Sequence, residues 1–350
     1  MYKVITQTKF LLILLLSTFL LACSSGKHSR LTPPLENQSL SSYIESQDFS
    51  GSILVAKKGD ILLSRGFEYA TRRSDIKNTP HTEFRIGSIS KQFTAVAILM
   101  LEERGLLSTE DPISKCIPQF PDSDNILIKH LLNMTSGIVN YTELPEFMGF
   151  RKDSHTPESL INIFKDESKL FAAGQQLKYS NSNYVLLGCI IELITGMTYA
   201  DFIQEEIFNR LDMRDSRYGS DVIGFGKVAQ GYLHDMPVAT ISMTVPYASG
   251  ALSSSVSDLY KWHKGLSERS LISEASTQKM YSVGLADYAF GWIVSKNSEG
   301  EPFYQHGGGI DGFSSHILRS EQSGYFIAVL SNDQAFPTGQ LAQNIMQIIH

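Results

Sequence analysis

Hydrophobic and polar positions repeat with a short period near both ends of the chain and with a helical period between them. Near the N-terminus, the runs Gly51 to Ala56 and Ile61 to Phe67 flank Lys57-Lys58-Gly59-Asp60, the pattern of an antiparallel hairpin. Strand-like segments return late, at Tyr288 to Val294, Phe303 to Gln305, Ser314 to Arg319 and Tyr325 to Leu330, and a helical pattern from Thr338 to Ile349 follows them. The middle of the chain carries the almost wholly apolar run Phe93 to Leu101. It also carries the helical set Val185, Leu186, Leu187, Ile190, Ile191 and Ile194. Strands at both ends with helices between them predict an α/β protein of the α+β type. One antiparallel sheet is expected from N- and C-terminal strands, with helices packed on it and a mostly helical lobe inserted.

The first residues follow a different pattern. Lys3 and Lys9 precede an apolar stretch of 12 residues, Phe10 to Leu21, which is too short for an ordinary transmembrane helix and reads as an export signal. It ends in Leu20-Leu21-Ala22-Cys23, which resembles a bacterial lipobox, although Leu21 is bulkier than the usual residue there. The expectation is therefore a signal peptide over 1–22, a lipidated Cys23 with a polar tether over 23–39, and one folded domain over 40–350. Such a protein would sit in the bacterial cell envelope, facing the periplasm, on the outer membrane if the cell has one.

Charge and cysteine content narrow the partners. The whole chain carries a formal net charge of −6 with 30 basic and 36 acidic residues. Loss of the signal removes two lysines and no acids. No basic run or aromatic platform accompanies this acidity, which argues against nucleic acid as a partner. The 9 histidines are scattered without metal-type spacing. Once Cys23 is set aside, Cys116 and Cys189 remain. Their spacing demands no pairing, and two buried free thiols are expected.

Candidate chemistry begins at Phe84-Arg85-Ile86-Gly87-Ser88-Ile89-Ser90-Lys91, where a glycine-bounded loop enters the apolar run. A serine at the first turn of a helix lies near the positive end of the helix dipole, and Lys91, three residues on, returns to the same face. A desolvated lysine there loses its proton more easily and can take that of the serine. The same spacing recurs at Ser24/Lys27, Ser74/Lys77 and Ser276/Lys279, so context selects Ser88. A second group, Tyr179-Ser180-Asn181, precedes the second apolar helix. Its tyrosine, near cations, is a candidate to ionise as general base, and Asn181 offers an amide to substrate or to Lys91. The bland alternative is a packed tyrosine and a turn asparagine. A third group, His306-Gly307-Gly308-Gly309, lets a backbone approach a ligand, with a plain glycine turn as its alternative. His263-Lys264-Gly265 repeats the His-x-Gly pattern within a helix, where His263 is expected at the surface.

In order, Ser88-x-x-Lys91, Tyr179-x-Asn181 and His306-x-Gly308 resemble the signature boxes of the serine β-lactamase and penicillin-binding-protein superfamily. The tyrosine box resembles the branch with class C β-lactamases, D-Ala-D-Ala carboxypeptidases, D-aminopeptidases and related esterases. His130 to Gly137 and Ala248 to Ser255 also look like family segments, so the resemblance runs from about Leu40 onward. It implies that Ser88 is acylated while Lys91 and Tyr179 manage protons. It also implies that Asn181, His306, Gly308 and Gly309 meet the substrate, the N–H groups of Ser88 and Gly309 forming an oxyanion hole, with no metal or cofactor. Two departures bear on substrate. His306 replaces the lysine usual in β-lactamases, so a carboxylate is held less firmly, and Met134 replaces a frequent histidine. Esterase or D-amino-acid peptidase activity is the expectation. The alternatives are a β-lactamase or D-Ala-D-Ala carboxypeptidase, or a catalytically silent binding lipoprotein of the same fold.

Overall fold

Both ends of the described chain contribute to one sheet. The computed structural model describes residues 31–349 except 36, 37, 222, 225 and 240. The expected signal peptide, Cys23 and the pair Ser24/Lys27 lie outside the described residues. Six antiparallel strands are β1 (Gly51–Lys57), β2 (Asp60–Phe67), β3 (Ile293–Lys296), β4 (Pro302–Ile310), β5 (Phe313–Arg319) and β6 (Tyr325–Ser331), in the order β3-β4-β5-β6-β1-β2. β1 pairs on one side with its hairpin partner and on the other with β6, in the register Gly51↔Ser331 to Lys57↔Tyr325. The hairpin turns at Lys58 and Gly59, with φ of 52° and 90°, the left-handed pair that matches strand twist.

Both faces of this sheet are covered, which explains why β1 and β6 read as nearly continuous apolar runs. Side chains alternate between two cores. Ile53, Val55, Ile327 and Val329 join Leu341, Ala342 and Ile345 of the C-terminal helix Thr338–Ile349 and Tyr43 and Ile44 of the first helix, α1 (Leu40–Glu45). Leu54, Ala56, Phe326, Ala328 and Leu330 face the larger core of the helical lobe. At its centre stands α2 (Ser90–Glu103), buried on every side from Ser90 to Leu101. Beside it runs α3 (Asn181–Thr195), stopped by Gly196 at φ 69°.

Four expectations change. The glycines after His306 do not form a turn beyond a short strand; they continue β4 through Ile310. The segment from Tyr288 is strand only over Ile293–Lys296, because Gly291 at φ 76° bends the backbone against Lys91, leaving Tyr288 as a lone bridge to Ile293. His263 is half-buried, stacked on Phe326 with ring centroids 4.7 Å apart, and burial pushes its imidazole down to about 3. Cys116 and Cys189 are free thiols, half-buried rather than fully enclosed. Within the expected tether, Thr32 is hydrogen-bonded to Gln47 and Tyr43 of the folded domain.

Candidate active site

Ser88 sits where the sheet meets the helical lobe. It occupies a short 3-10 turn, Gly87–Ile89, that leads directly into α2. Gly87 has φ 50°, and a Cβ there would lie 3.0 Å from the Gly309 backbone, so both conformation and close approach require glycine. The turn is pinned to the sheet because Ser315 of β5 donates from Oγ to the Ile86 carbonyl at 2.9 Å. Gly308 packs against that same carbonyl, where a Cβ would lie 2.0 Å from the Ile86 oxygen.

Three side chains converge on the serine oxygen and its neighbour. The Tyr179 hydroxyl donates to Ser88 Oγ at 2.7 Å, and Lys91 Nζ lies 3.0 Å from Oγ on the other side. Lys91 also donates to Asn181 Oδ1 and to the Ser249 carbonyl, each at 2.8 Å. Asn181 is aimed by its own contacts: its Nδ2 donates to Thr142 Oγ1 at 3.2 Å and its backbone N–H to Asn140 Oδ1 at 3.1 Å. The two carbonyl oxygens take two N–H bonds, so the remaining tetrahedral position of Nζ faces Ser88. In the neutral amine that position is the lone pair. Both acceptors are uncharged, and Lys91 is fully buried, so desolvation holds its ammonium well below the ordinary lysine range. Burial pushes the Tyr179 hydroxyl up, above the ordinary tyrosine range, with the Ser88 bond opposing it. Burial thus opposes the ionisation that a Tyr179 general base would need. The geometry favours Lys91 as the proton acceptor and Tyr179 as a neutral donor.

The third group behaves differently from its expected role. His306 is 3% exposed and lies beneath the site, not on its wall. Its Nε2 is 3.1 Å from the Tyr288 hydroxyl, whose ring stands edge-on to Tyr179 with centroids 6.0 Å apart. Burial pushes its imidazole down to about 3, so at neutral pH it carries no charge to offer a substrate. Gly308 is buried too; its function is close packing. Gly309 is the exposed member. The hairpin closes on the pair Ile310↔Phe313, so at Gly309↔Ser314, one residue in, the N–H points away from β5. β3 pairs β4 only as far as Gln305, leaving this edge open toward the Ser88 turn.

A cleft of about 220 Å³ opens over Ser88, with Asn181, Ser249, Gly250 and Gly309 around the serine and Tyr141, Phe147, Ile241, Pro246 and Ile310 as apolar walls. Thr142, Arg151 and Asp311 complete its lining with Gly87. Sequence reasoning missed Ser249, Arg151 and Asp311. Ser249 acts through its backbone carbonyl, which no side-chain pattern reveals, although it lies in a segment already marked by resemblance. Arg151 and Asp311 come from loops of opposite lobes and share no spacing rule. Met134, buried at φ 63°, turns its sulfur toward the Ser180 N–H at 3.4 Å and Asn183 Nδ2 at 3.5 Å, filling the place of a polar side chain with a weak acceptor.

A nucleophile held between a buried amine and a phenol, at the junction of an antiparallel sheet and a helical lobe, defines a serine hydrolase of the acyl-enzyme type. The chain belongs to the Beta-lactamase family, whose profile matches residues 40–348. It is similar to Penicillin-binding protein 4* of Bacillus subtilis (strain 168), 32% identical over 320 residues, which cover 83% of this chain and 69% of that protein. Among solved structures, the octameric penicillin-binding protein homologue from Pyrococcus abyssi matches with a TM-score of 0.75 and 31% identity, over 85% of this chain and 72% of that one. A D-stereospecific amidohydrolase from Streptomyces sp. matches with a TM-score of 0.72 and 25% identity, over 85% and 92%.

Proposed function

We propose that this protein hydrolyses an ester or a D-amino-acid amide or peptide through an acyl-enzyme on Ser88. The observation that carries this reading is the placement of Ser88 Oγ between Lys91 Nζ at 3.0 Å and the Tyr179 hydroxyl at 2.7 Å. Ser88 Oγ attacks the substrate carbonyl carbon while its proton passes to the neutral Lys91 amine. The C–O or C–N bond to the leaving group then breaks, and that group leaves with a proton relayed through Tyr179. The N–H groups of Ser88 and Gly309 face the developing oxyanion, each such donor being worth about 3 kcal/mol in the transition state. Water repeats the sequence to release the acid.

Substrate choice rests on the cleft. Apolar walls, a neutral buried His306 and no unpaired cation among its described lining residues suit a neutral acyl donor better than a β-lactam with a fixed carboxylate. The Streptomyces amidohydrolase supports the amide half of this reading. The penicillin-binding relative supports the second reading, a carboxypeptidase or β-lactam-reactive protein. The N-terminal sequence supports attachment to the cell envelope through a lipid on Cys23. Intact mass after a fluorophosphonate tests the nucleophile: a single adduct on the domain from Leu40 onward, absent in Ser88→Ala, is expected. No adduct in the native domain would replace catalysis with a binding role.

A further inference from the structure

Among the described residues lining the cleft, Arg151 and Asp311 alone are charged, and they face each other across it. Arg151 follows the short helix Phe147–Phe150 of the helical lobe, and Asp311 lies in the two-residue turn between β4 and β5, just beyond Gly309. Arg151 donates from Nη2 to Asp311 Oδ2, with the side chains only 17% and 19% exposed. Arg151 Nε is buried with no hydrogen-bond partner. A second arginine, Arg85, lies outside the cleft lining; it is 1% exposed and is attracted by Asp221 and Asp311. It donates from Nη2 to the Ser220 carbonyl at 2.7 Å, and its Nε and Nη1 also lack partners. Arg151 therefore keeps a guanidinium N–H that Asp311 does not take up. A planar guanidinium with free N–H groups is the side chain best shaped to bind a carboxylate.

We propose that Asp311 is a specificity-determining residue that occupies Arg151 as a built-in stand-in for a substrate carboxylate. The cleft thereby disfavours acyl donors that carry a free carboxylate beyond the scissile bond. This rests on the Ser88 acyl-enzyme reading and names what that site rejects. A carboxylate-bearing substrate must displace Asp311 or stay unpaired in a half-desolvated cleft, both of which cost affinity. A neutral ester or amide leaves the ion pair intact. The selectivity thus lies in a residue two positions beyond the glycine run, away from the Ser-x-x-Lys and Tyr-x-Asn groups.

The test uses paired substrates, N-acetyl-D-alanyl-D-lactate and its methylamide, with acylation by benzylpenicillin as a second source of carboxylate. The readout is the ratio of kcat/KM for the free acid to that for the methylamide. Asp311→Asn, which keeps shape and removes charge, is expected to raise this ratio about tenfold or more. Benzylpenicillin acylation should rise with it if both carboxylates reach the same arginine; a rise for the depsipeptide alone restricts the pocket to peptide-like acids. Adding Arg151→Gln should return the ratio to the native value. Asp311→Ser serves if the asparagine variant fails to fold. An unchanged ratio in a folded variant, or a gain that survives Arg151→Gln, overturns the proposal. Turnover of the methylamide by the native protein, lost in Ser88→Ala, shows separately that the acyl-enzyme reading stands.

Discussion

Ser88/Lys91 and Ser276/Lys279 share the same four-residue spacing in one chain, yet their lysines occupy opposite environments. Lys91 is fully buried and meets two uncharged carbonyl oxygens. Lys279 is 37% exposed and ion-paired to Glu102 at 2.8 Å. Ser276 lies inside the helix Glu274–Tyr281, its N–H bound to Ser273 Oγ, whereas Ser88 sits on a turn that opens to a cleft. Around Lys91 the dry site offers only uncharged acceptors, and desolvation disfavours its ammonium. What surrounds the nitrogen decides whether the spacing becomes chemistry.

The comparison breaks most sharply at the serines. Ser88→Ala is expected to lower turnover by roughly 10⁴- to 10⁶-fold, while Ser276→Ala leaves it within error, checked by steady-state hydrolysis of a neutral ester. Next come the lysines. Lys91→Met should cost about 10²- to 10⁴-fold in acylation rate, and Lys279→Met only about 0–1 kcal/mol of stability in urea unfolding. Equal kinetic loss in both would remove the distinction.

A milder change makes the first site resemble the second. Asn181→Asp gives Lys91 a carboxylate neighbour and raises its pKa. Because the base must be unprotonated, the acid limb of kcat/KM should move to higher pH, by about 1–3 units. An unmoved limb would mean that Lys91 is not the group titrating. The smallest effect concerns three histidines whose pKa values burial lowers. His306 and His263 are pushed down to about 3 and His316 to about 4, all by burial. The unfolded chain therefore binds more protons between these values and about 6.5. The neutral rings contribute fully above pH 6.5, and stability falls as pH drops toward 3. His263→Phe should flatten that slope, read as the urea midpoint against pH.

The antiparallel hairpin, the late strands β5 and β6 and the terminal helix were legible because each carries its own local period. The break at Gly291 was not, since it arises from contact with Lys91. Within the site, Ser88, Lys91 and Tyr179 were legible because they stand at or just before the first turns of apolar helices. Ser249 and the ion pair of Arg151 with Asp311 were hidden because a backbone carbonyl and cross-lobe partners leave no spacing in the chain. His306 misled because a motif carries residue type but not depth: the sheet buries it under Tyr179 and Tyr288.

The register that joins β1 to β6 sets an order of assembly. Emerging from a ribosome, the N-terminal hairpin has one partner at hand and must wait for most of the chain before the other arrives. Until then one edge of β1 offers unpaired N–H and C=O groups to any passing strand, a hazard of long-range sheets. A stop codon placed before Tyr325 would therefore do more than trim the protein. It would remove the strand that closes the sheet around Ser88 and leave a sticky intermediate in place of a shorter enzyme.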